Sequence, residues 1–232
     1  MTKQRFRLLA RWAAIMASLT ALLFLAAGST HITSVHHYLV VNGALLLVTM
    51  LAVDPQLAEE RAHPTNEDSD RLRFAAAFFS LLTLAVAAFA GGRLHLGLIV
   101  PTILRDAALV AFALSGSLQT WAMIVNPFFS PVLRLETEHG HHVIADGPYR
   151  FMRHPGYLAM LISVPAGALA IGSWLALAPA AAFAVVILWR TQLEDEFLKK
   201  SLPDYEEFAN RVLGRLFPVN RPKRDWYVEP SA

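Results

Sequence analysis

Six apolar stretches dominate the chain, and each must be covered by other protein or by lipid. They lie near Leu8–Ala27, Val35–Val53, Phe74–Ala90, Thr102–Val125, Tyr157–Ile171 and Trp174–Trp189. A helix of about 20 apolar residues crosses the roughly 30 Å hydrocarbon core of a bilayer. Only 16% of the residues are charged, whereas soluble domains carry about 25%. The sequence therefore predicts an all-α integral membrane protein with about six transmembrane helices.

The last two stretches are short and are separated only by Gly172 and Ser173, which predicts a tight C-terminal helical hairpin. Beyond Trp189 the apolar residues recur at helical spacing among charged ones. This pattern indicates a cytoplasmic amphipathic tail that lies at the membrane surface, as one helix or as two helices interrupted at Pro203.

Basic residues set the expected orientation. In the six-span arrangement, all 20 Lys and Arg residues except Arg93 and Arg105 fall on the side that holds both termini. Because cytoplasmic loops carry an excess of Lys and Arg, both termini are expected in the cytoplasm. Arg105 and Asp106 are interpreted as a pair at the opposite interface.

Composition and charge exclude several classes of protein. The chain has no cysteine, so it has no disulfides, thiolate metal ligands or cysteine nucleophile. The net charge of +2 gives no indication of nucleic-acid binding. We expect three regions: N-terminal transmembrane helices over 1–120, a functional core over 121–218 and a C-terminal tail over 219–232.

Polar residues concentrate in one cytoplasmic segment between the fourth and fifth stretches. Glu138–Tyr157 holds four histidines, two tyrosines and two arginines within 20 residues. Asp146-Gly-Pro-Tyr149 is a turn signal, and Pro155 suits the first turn of the next helix. The free backbone N–H groups at such a helix start commonly bind carboxylates or phosphates.

A second polar cluster, Arg190–Glu196, follows the sixth stretch. Arg190 and Glu194 are four residues apart and share a helix face, whereas Gln192 and Asp195 are expected to point elsewhere. If the last two stretches form a hairpin, this cluster lies beside Arg153–Tyr157. Two segments distant in sequence would then form one pocket at the membrane surface.

Together these motifs resemble the isoprenylcysteine carboxyl methyltransferase family, which is related to the membrane phospholipid methyltransferases. The resemblance rests on Gly140-His-His-Val-Ile-Ala-Asp-Gly-Pro-Tyr149, on Arg153-His-Pro-Gly-Tyr157, on the hairpin and on Glu194-Asp195. The tail from Tyr205 to Pro218 resembles the end of that pattern. Upstream, Asp54-Pro-Gln-Leu and Trp121–Phe129 resemble a bacterial branch of the family, whose place would be the bacterial inner membrane.

The resemblance implies that S-adenosylmethionine is the methyl donor and that its site faces the cytoplasm. By position, the cofactor contacts fall on His141, His142, Val143, Ile144, Tyr149, His154, Pro155, Gly156, Tyr157 and Glu194. Arg190 falls where the family holds its substrate and is the candidate catalytic residue. The acceptor would be a lipid or a prenylated small molecule or peptide in contact with membrane lipids, and the oligomeric state is left open.

Two other functions compete with methyl transfer. A membrane reductase of the steroid-reductase type, dependent on NADPH, also places polar clusters at the cytoplasmic ends of C-terminal helices. A non-catalytic membrane protein would use histidines to bind haem or a metal. His139, His141 and His142 do not form a convincing metal-ligand cluster with their neighbours, so no metal site is assigned.

The charge asymmetry yields a topology prediction. Reporter fusions after Gly28, Gly92 and Gly172 should report the extracytoplasmic side, and fusions after Asp70 and Gly140 should report the cytoplasm. An odd number of spans, with the termini on opposite sides, would contradict the six-span arrangement.

Overall fold

The computed structural model describes residues 3–53, 71–94, 100–129 and 142–219, and within these ranges the fold is all-helical. The helices are α1 (Lys3–Ala27), α2 (Thr33–Ala52), α3 (Arg71–Phe89), α4 (Thr102–Val125), α5 (Pro155–Ile171), α6 (Leu177–Ser201) and α7 (Tyr205–Arg211). A π-helical turn, Ala90–Leu94, continues α3, and a 3-10 turn, Gly147–Arg150, precedes α5. The turn predicted at Asp146–Tyr149 and the helix start at Pro155 are confirmed.

Four helical segments are long and apolar enough to cross a membrane. They are Arg5–Ala27, Thr33–Ala52, Arg71–Leu94 and Thr102–Val125. The all-α class and the first four spans agree with the sequence prediction. The apolar helix α5 is shorter, at 17 residues, so the membrane crossing of α5 and α6 stays a prediction.

Helix α6 departs most from its predicted bounds. It begins at Leu177 instead of Trp174 and continues past Trp189 to Ser201. The connection from α5 is therefore longer than Gly172 and Ser173, although Gly172 does end α5 in a left-handed conformation at φ 120°. The extension consists largely of residues with good helix propensity, such as Gln, Leu, Glu and Lys. The predicted interruption at Pro203 is confirmed, because the chain breaks between α6 and α7.

Helix α5 lies at the centre of the bundle. It packs most extensively against α4 and also contacts α2, α3 and α6. At Gly167 an added Cβ would lie 3.1 Å from the Tyr38 ring, with Leu84 and Phe112 also in contact range. The Tyr38 and Phe112 rings are 4.9 Å apart. We call Tyr38, Leu84, Phe112 and Gly167 the closing layer, because they fill the bundle at this level.

The π-helical turn after α3 packs on the end of α1. Arg93 donates hydrogen bonds from Nε to the Ala26 carbonyl at 3.0 Å and from Nη2 to the Leu25 carbonyl at 3.1 Å. The last carbonyls of a helix lack partners within it, so Arg93 caps α1. Gly92 permits this approach, because an added Cβ would lie 2.2 Å from the Ala27 carbonyl oxygen.

Two adjacent glycines therefore provide a matched test of this contact. Gly92→Ala should destabilise the protein by about 1–3 kcal/mol, the usual range for overpacking. Gly91→Ala has no atom within 4 Å of its added Cβ and should leave stability unchanged or slightly raised. Thermal unfolding in detergent measures both variants, and equal melting temperatures would contradict the packing described here.

Candidate functional site

The hairpin brings the two predicted polar clusters together, as the sequence indicates. The Tyr157 hydroxyl on α5 donates to Glu194 on α6 and accepts a hydrogen bond from Arg190 Nε at 2.7 Å. The Arg190 guanidinium carbon lies 6.0 Å from the centre of the Tyr157 ring. Arg190 and Glu194 are thus joined through one hydroxyl group, and Arg190 is buried.

Asp195 lies next to this group and is buried completely. Its Oδ1 accepts from Arg153 Nε at 2.8 Å, from the Tyr205 hydroxyl at 3.1 Å and pairs with His154 Nε2 at 3.2 Å. The carboxylate therefore joins α5, α6 and α7. As expected, Asp195 points away from the side of α6 that carries Arg190 and Glu194. That side faces the cavity, whereas Asp195 faces the returning C-terminal segment.

Two further cations face the other oxygen of Asp195. Arg215 Nε and Lys199 Nζ each lie 3.1 Å from Oδ2, and Arg153 Nη2 also donates to it at 3.3 Å. Burial alone would raise the pKa of Asp195, but the hydrogen bonds from His154 and Arg153 and their charge outweigh it and hold the pKa well below its usual range. Asp195 is therefore ionised at neutral pH.

Arg153 fixes the segment that follows α7. Its Nη1 donates to the carbonyl oxygens of Val212 at 2.6 Å and Leu213 at 3.1 Å. The backbone N–H groups of Arg153 and His154 donate to the carbonyls of Gly214 at 3.0 Å and Arg215 at 2.8 Å. The start of α5 thus holds the C-terminal segment against the site.

Tyr205 contributes a neutral donor to the same cluster. Burial raises its pKa first, and the negative charge of Asp195 and the hydrogen bond to it raise it further. The phenol therefore stays protonated and donates to Asp195.

A cavity of about 570 Å³ opens beside these groups, between α3, α4, α5 and α6. We call the end of the cavity that includes Arg73, Asn126, Tyr157 and Arg190 the polar rim. We call the lining residues at the opposite end, Ser80, Gln119, Val164 and Phe183, the floor. On each helix the rim and floor residues are seven positions apart, a rise of about 10 Å. Between them lie mainly apolar or small residues, including Ala76, Met123, Met160 and Ile187. The closing layer follows below the floor.

Most of the predicted cofactor residues line this cavity. They are His142, Val143, Ile144, Tyr149, His154, Gly156, Tyr157 and Glu194, and the candidate catalytic residue Arg190 lines it as well. The His142 ring lies edge-on to Phe128, with ring centres 5.1 Å apart. Tyr149 is held by Asn126, whose Nδ2 donates to its hydroxyl at 3.2 Å.

Two predicted residues remain, of which one does not line the cavity and the other lies outside the described residues. Pro155 is buried as the first residue of α5, and His141 lies outside the described residues. The His154 N–H is engaged by the Arg215 carbonyl. Among the described residues, the backbone N–H groups of Gly156 and Tyr157 make no backbone hydrogen bond, so these two are the donors left at the start of α5.

Gly156 is needed for the shape of the cavity wall. A Cβ at this position would lie 2.4 Å from Cε2 of the Phe129 ring, and both residues line the cavity. The glycine in the Arg-His-Pro-Gly-Tyr motif therefore lets the Phe129 ring, which follows α4, approach the first turn of α5 closely.

Sequence reasoning missed several residues of the site. Arg73 reaches the rim from α3, a helix not expected to contribute, and Arg153 was part of the motif but had no assigned role. The tail residue Tyr205 was expected only at the membrane surface. Arg105 was expected to pair with Asp106, but its Nη2 bonds the Thr102 hydroxyl at 3.0 Å, because Asp106 is exposed on another side of α4.

The described residues hold no group of three or more His, Cys, Asp or Glu side chains that could bind a metal. His139 and His141 of the histidine run lie outside the described residues.

Comparison with known proteins shows what the cavity-lining segment is similar to. A family model described as phospholipid methyltransferase matches residues 104–204, which include α4, α5, α6 and most of the cavity wall. The matched segment is less than half of the chain. Two proteins of Oryza sativa, from subspecies indica and japonica, are each named probable protein-S-isoprenylcysteine O-methyltransferase and are 36% identical over 89 residues.

The family model and the two named relatives agree with the resemblance that the motifs predict. The similarity covers 38% of this chain and 40% of each relative, so the chain matches about two fifths of the length of these curated relatives. The bacterial branch stays a prediction.

The buried Asp195 cluster generates a pH prediction. The pKa of Asp195 is lower in the folded protein than in the unfolded chain, where it is about 3.9. The ionised carboxylate therefore stabilises the fold at any pH above that value, and this stabilisation is lost as the pH falls below it towards the folded pKa. The melting temperature of the protein in detergent should therefore fall below about pH 5. Asp195→Asn should lower stability at neutral pH by about 3–5 kcal/mol, the cost of breaking a buried ion pair from one side, and flatten the acid dependence.

Glu196→Gln is the matched control for that variant. Glu196 is the next residue, is exposed and bonds Gln192 at 3.0 Å. The Glu196→Gln variant should leave both the melting temperature and its dependence on acid pH nearly unchanged. An Asp195→Asn variant with the stability and acid profile of the parent would contradict the role given to the cluster.

Proposed function

We propose that this protein is an integral-membrane methyltransferase that uses S-adenosylmethionine to methylate a lipid-like acceptor, with an isoprenoid carboxylate as the leading candidate. The observation that supports it best is that one cavity, within a methyltransferase-family segment, joins a charged rim to an apolar interior. The rim would bind the polar cofactor from the cytoplasm, and the interior would bind the tail of an acceptor that enters from the bilayer.

The residues present fit the cofactor. The Glu194 side chain is 25% exposed, so it keeps surface for an ammonium group beside the Tyr157 hydroxyl. The N–H groups of Gly156 and Tyr157 suit the carboxylate at a helix start. His142, Val143, Ile144 and Phe129 supply the apolar and aromatic surface that an adenine ring favours, with Tyr149 behind them.

The charges at the rim favour an anionic acceptor. Arg73, Arg153 and Arg190 line the cavity with Glu194 as the carboxylate, and Asp195 already compensates Arg153. A guanidinium holds a carboxylate with two parallel hydrogen bonds. We assign Arg190 to orient the acceptor, with Arg73 facing it across the rim.

The reaction requires the protein mainly to position the cofactor and the acceptor. The bound cofactor supplies a methyl group on a positively charged sulfur. A carboxylate acceptor would take this methyl group without needing a residue of the chain to remove a proton. The residues of the chain therefore align the reactants and exclude water. Arg190 and Tyr157 would position the reactants at the rim, and Phe129 and Met160 contribute an apolar part of the cavity wall.

The comparisons favour methyl transfer over an NADPH-dependent reduction, because the matching family and relatives are described as methyltransferases. The decisive experiment incubates purified protein with methyl-labelled S-adenosylmethionine and a total lipid extract and then identifies the labelled product. Label in a methyl ester supports the proposal, and label in an amine headgroup would redirect the acceptor to the phospholipid class. Tight binding of NADPH with no methyl transfer would overturn the proposal.

Glu194 and Arg190 should have separable roles although one hydroxyl joins them. Glu194→Gln replaces a charge-assisted hydrogen bond, worth about 1.5–3 kcal/mol, by a neutral one of about 1 kcal/mol. Calorimetric affinity for S-adenosylmethionine should fall by roughly tenfold. Arg190→Lys keeps the charge but loses the planar fork, so cofactor binding should persist while turnover falls sharply.

Gln192→Ala is a suitable control, because Gln192 is exposed on the same helix and bonds Glu196. Equal loss of cofactor affinity in the Glu194 and Arg190 variants would place Arg190 in the cofactor site and contradict the division of roles. If both variants retain full binding and turnover, the two residues are only a structural pair.

A further inference from the structure

The floor of the cavity carries two polar side chains, one from each of two membrane-spanning helices. Ser80 of α3 and Gln119 of α4 both line the cavity. Each lies seven residues from its rim residue and inside a candidate membrane span, Ser80 near the middle of its span and Gln119 six residues before the end of its span. Polar side chains inside a membrane are costly and commonly mark substrate pathways.

Other hydroxyl groups of these two helices are satisfied locally. Thr83, Ser115, Ser117 and Thr120 each donate to a backbone carbonyl three or four residues earlier, at 2.7–3.0 Å. Within the described part of the chain, Ser80 and the Gln119 amide have no such partner. The unused hydrogen-bonding capacity therefore faces the cavity.

A plain hydrocarbon tail would fit this floor poorly. If it reached the floor, it would remove water from an amide and a hydroxyl and give them no partner in return. A tail with a hydrogen-bonding group at that depth would supply the partner. Sites built around a buried polar contact discriminate strongly against ligands that lack it.

We propose that the acceptor carries a second polar group, a hydroxyl or a carbonyl, about 10 Å from the group that is methylated, and that Gln119 and Ser80 bind it. Gln119 offers both a donor and an acceptor, so either class of group is accommodated. This inference deepens the proposed function and rests on it for placing the reacting carboxylate at the rim.

The test uses S-alkyl cysteine probes of graded chain length, each prepared as a pair that ends in a methyl or a hydroxyl group. Binding to the purified full-length protein is measured by calorimetry in detergent, and methyl transfer from labelled S-adenosylmethionine is measured separately. At the chain length that reaches the floor, the hydroxyl-ended probe should bind about tenfold more tightly than its methyl-ended partner, the value of one net hydrogen bond. Gln119→Leu should abolish or invert that ratio.

Ser117→Ala is the matched control, because Ser117 lies on the exposed side of α4 and bonds Ala113 within the helix. It should leave the ratio unchanged, whereas Ser80→Ala should reduce it. If methyl-ended probes bind as tightly as hydroxyl-ended probes at every chain length, both in the parent and in Gln119→Leu, the inference is overturned. If methyl transfer persists in that case, the proposed function still stands. A preserved hydroxyl preference without any methyl transfer would instead overturn the proposed function and support the polar floor.

Discussion

A single buried carboxylate organises the region in which this protein is proposed to act. Asp195 has no exposed surface, and an ion in a low-dielectric interior must be compensated by opposite charge and hydrogen bonds. Its partners come from the start of α5, from α7 and from the segment after α7. All three must be in place together before the charge is satisfied. The neighbours of these groups, His154, Tyr157 and Glu194, line the cavity, so the architecture of the site follows from where this charge is buried.

Much of the fold could be predicted from sequence because apolar length is a direct consequence of bilayer thickness. Helix α4 has the predicted bounds, and the turn before α5 begins at the predicted aspartate. The meeting of Arg153–Tyr157 with Arg190–Glu196 also followed from simple reasoning: a hairpin returns the end of its second helix to the start of its first. Chain connectivity and helix geometry were sufficient for that conclusion.

The remaining features depend on packing in three dimensions. Helical spacing places Asp195 on a different face of α6 from Glu194 but gives no information about what covers each face, so the charge cluster around Asp195 could not be predicted. The C-terminal segment that covers it carries Arg215, about twenty residues further along the chain. Likewise, no local pattern indicates that α3 supplies Arg73 and Ser80 to the cavity wall, because that depends on how α3 packs against α5 and α6.

The closing layer below the cavity floor has a consequence for the membrane itself. Water and ions that enter past the rim reach Ser80 and Gln119, where they meet the packed side chains of Tyr38, Leu84 and Phe112. Below them α5 continues through buried residues to Ile171. Among the described residues, this layer therefore separates the cavity floor from the far end of the bundle. A polar interior that ends at such a layer can be hydrated without forming a continuous water path through the described helices.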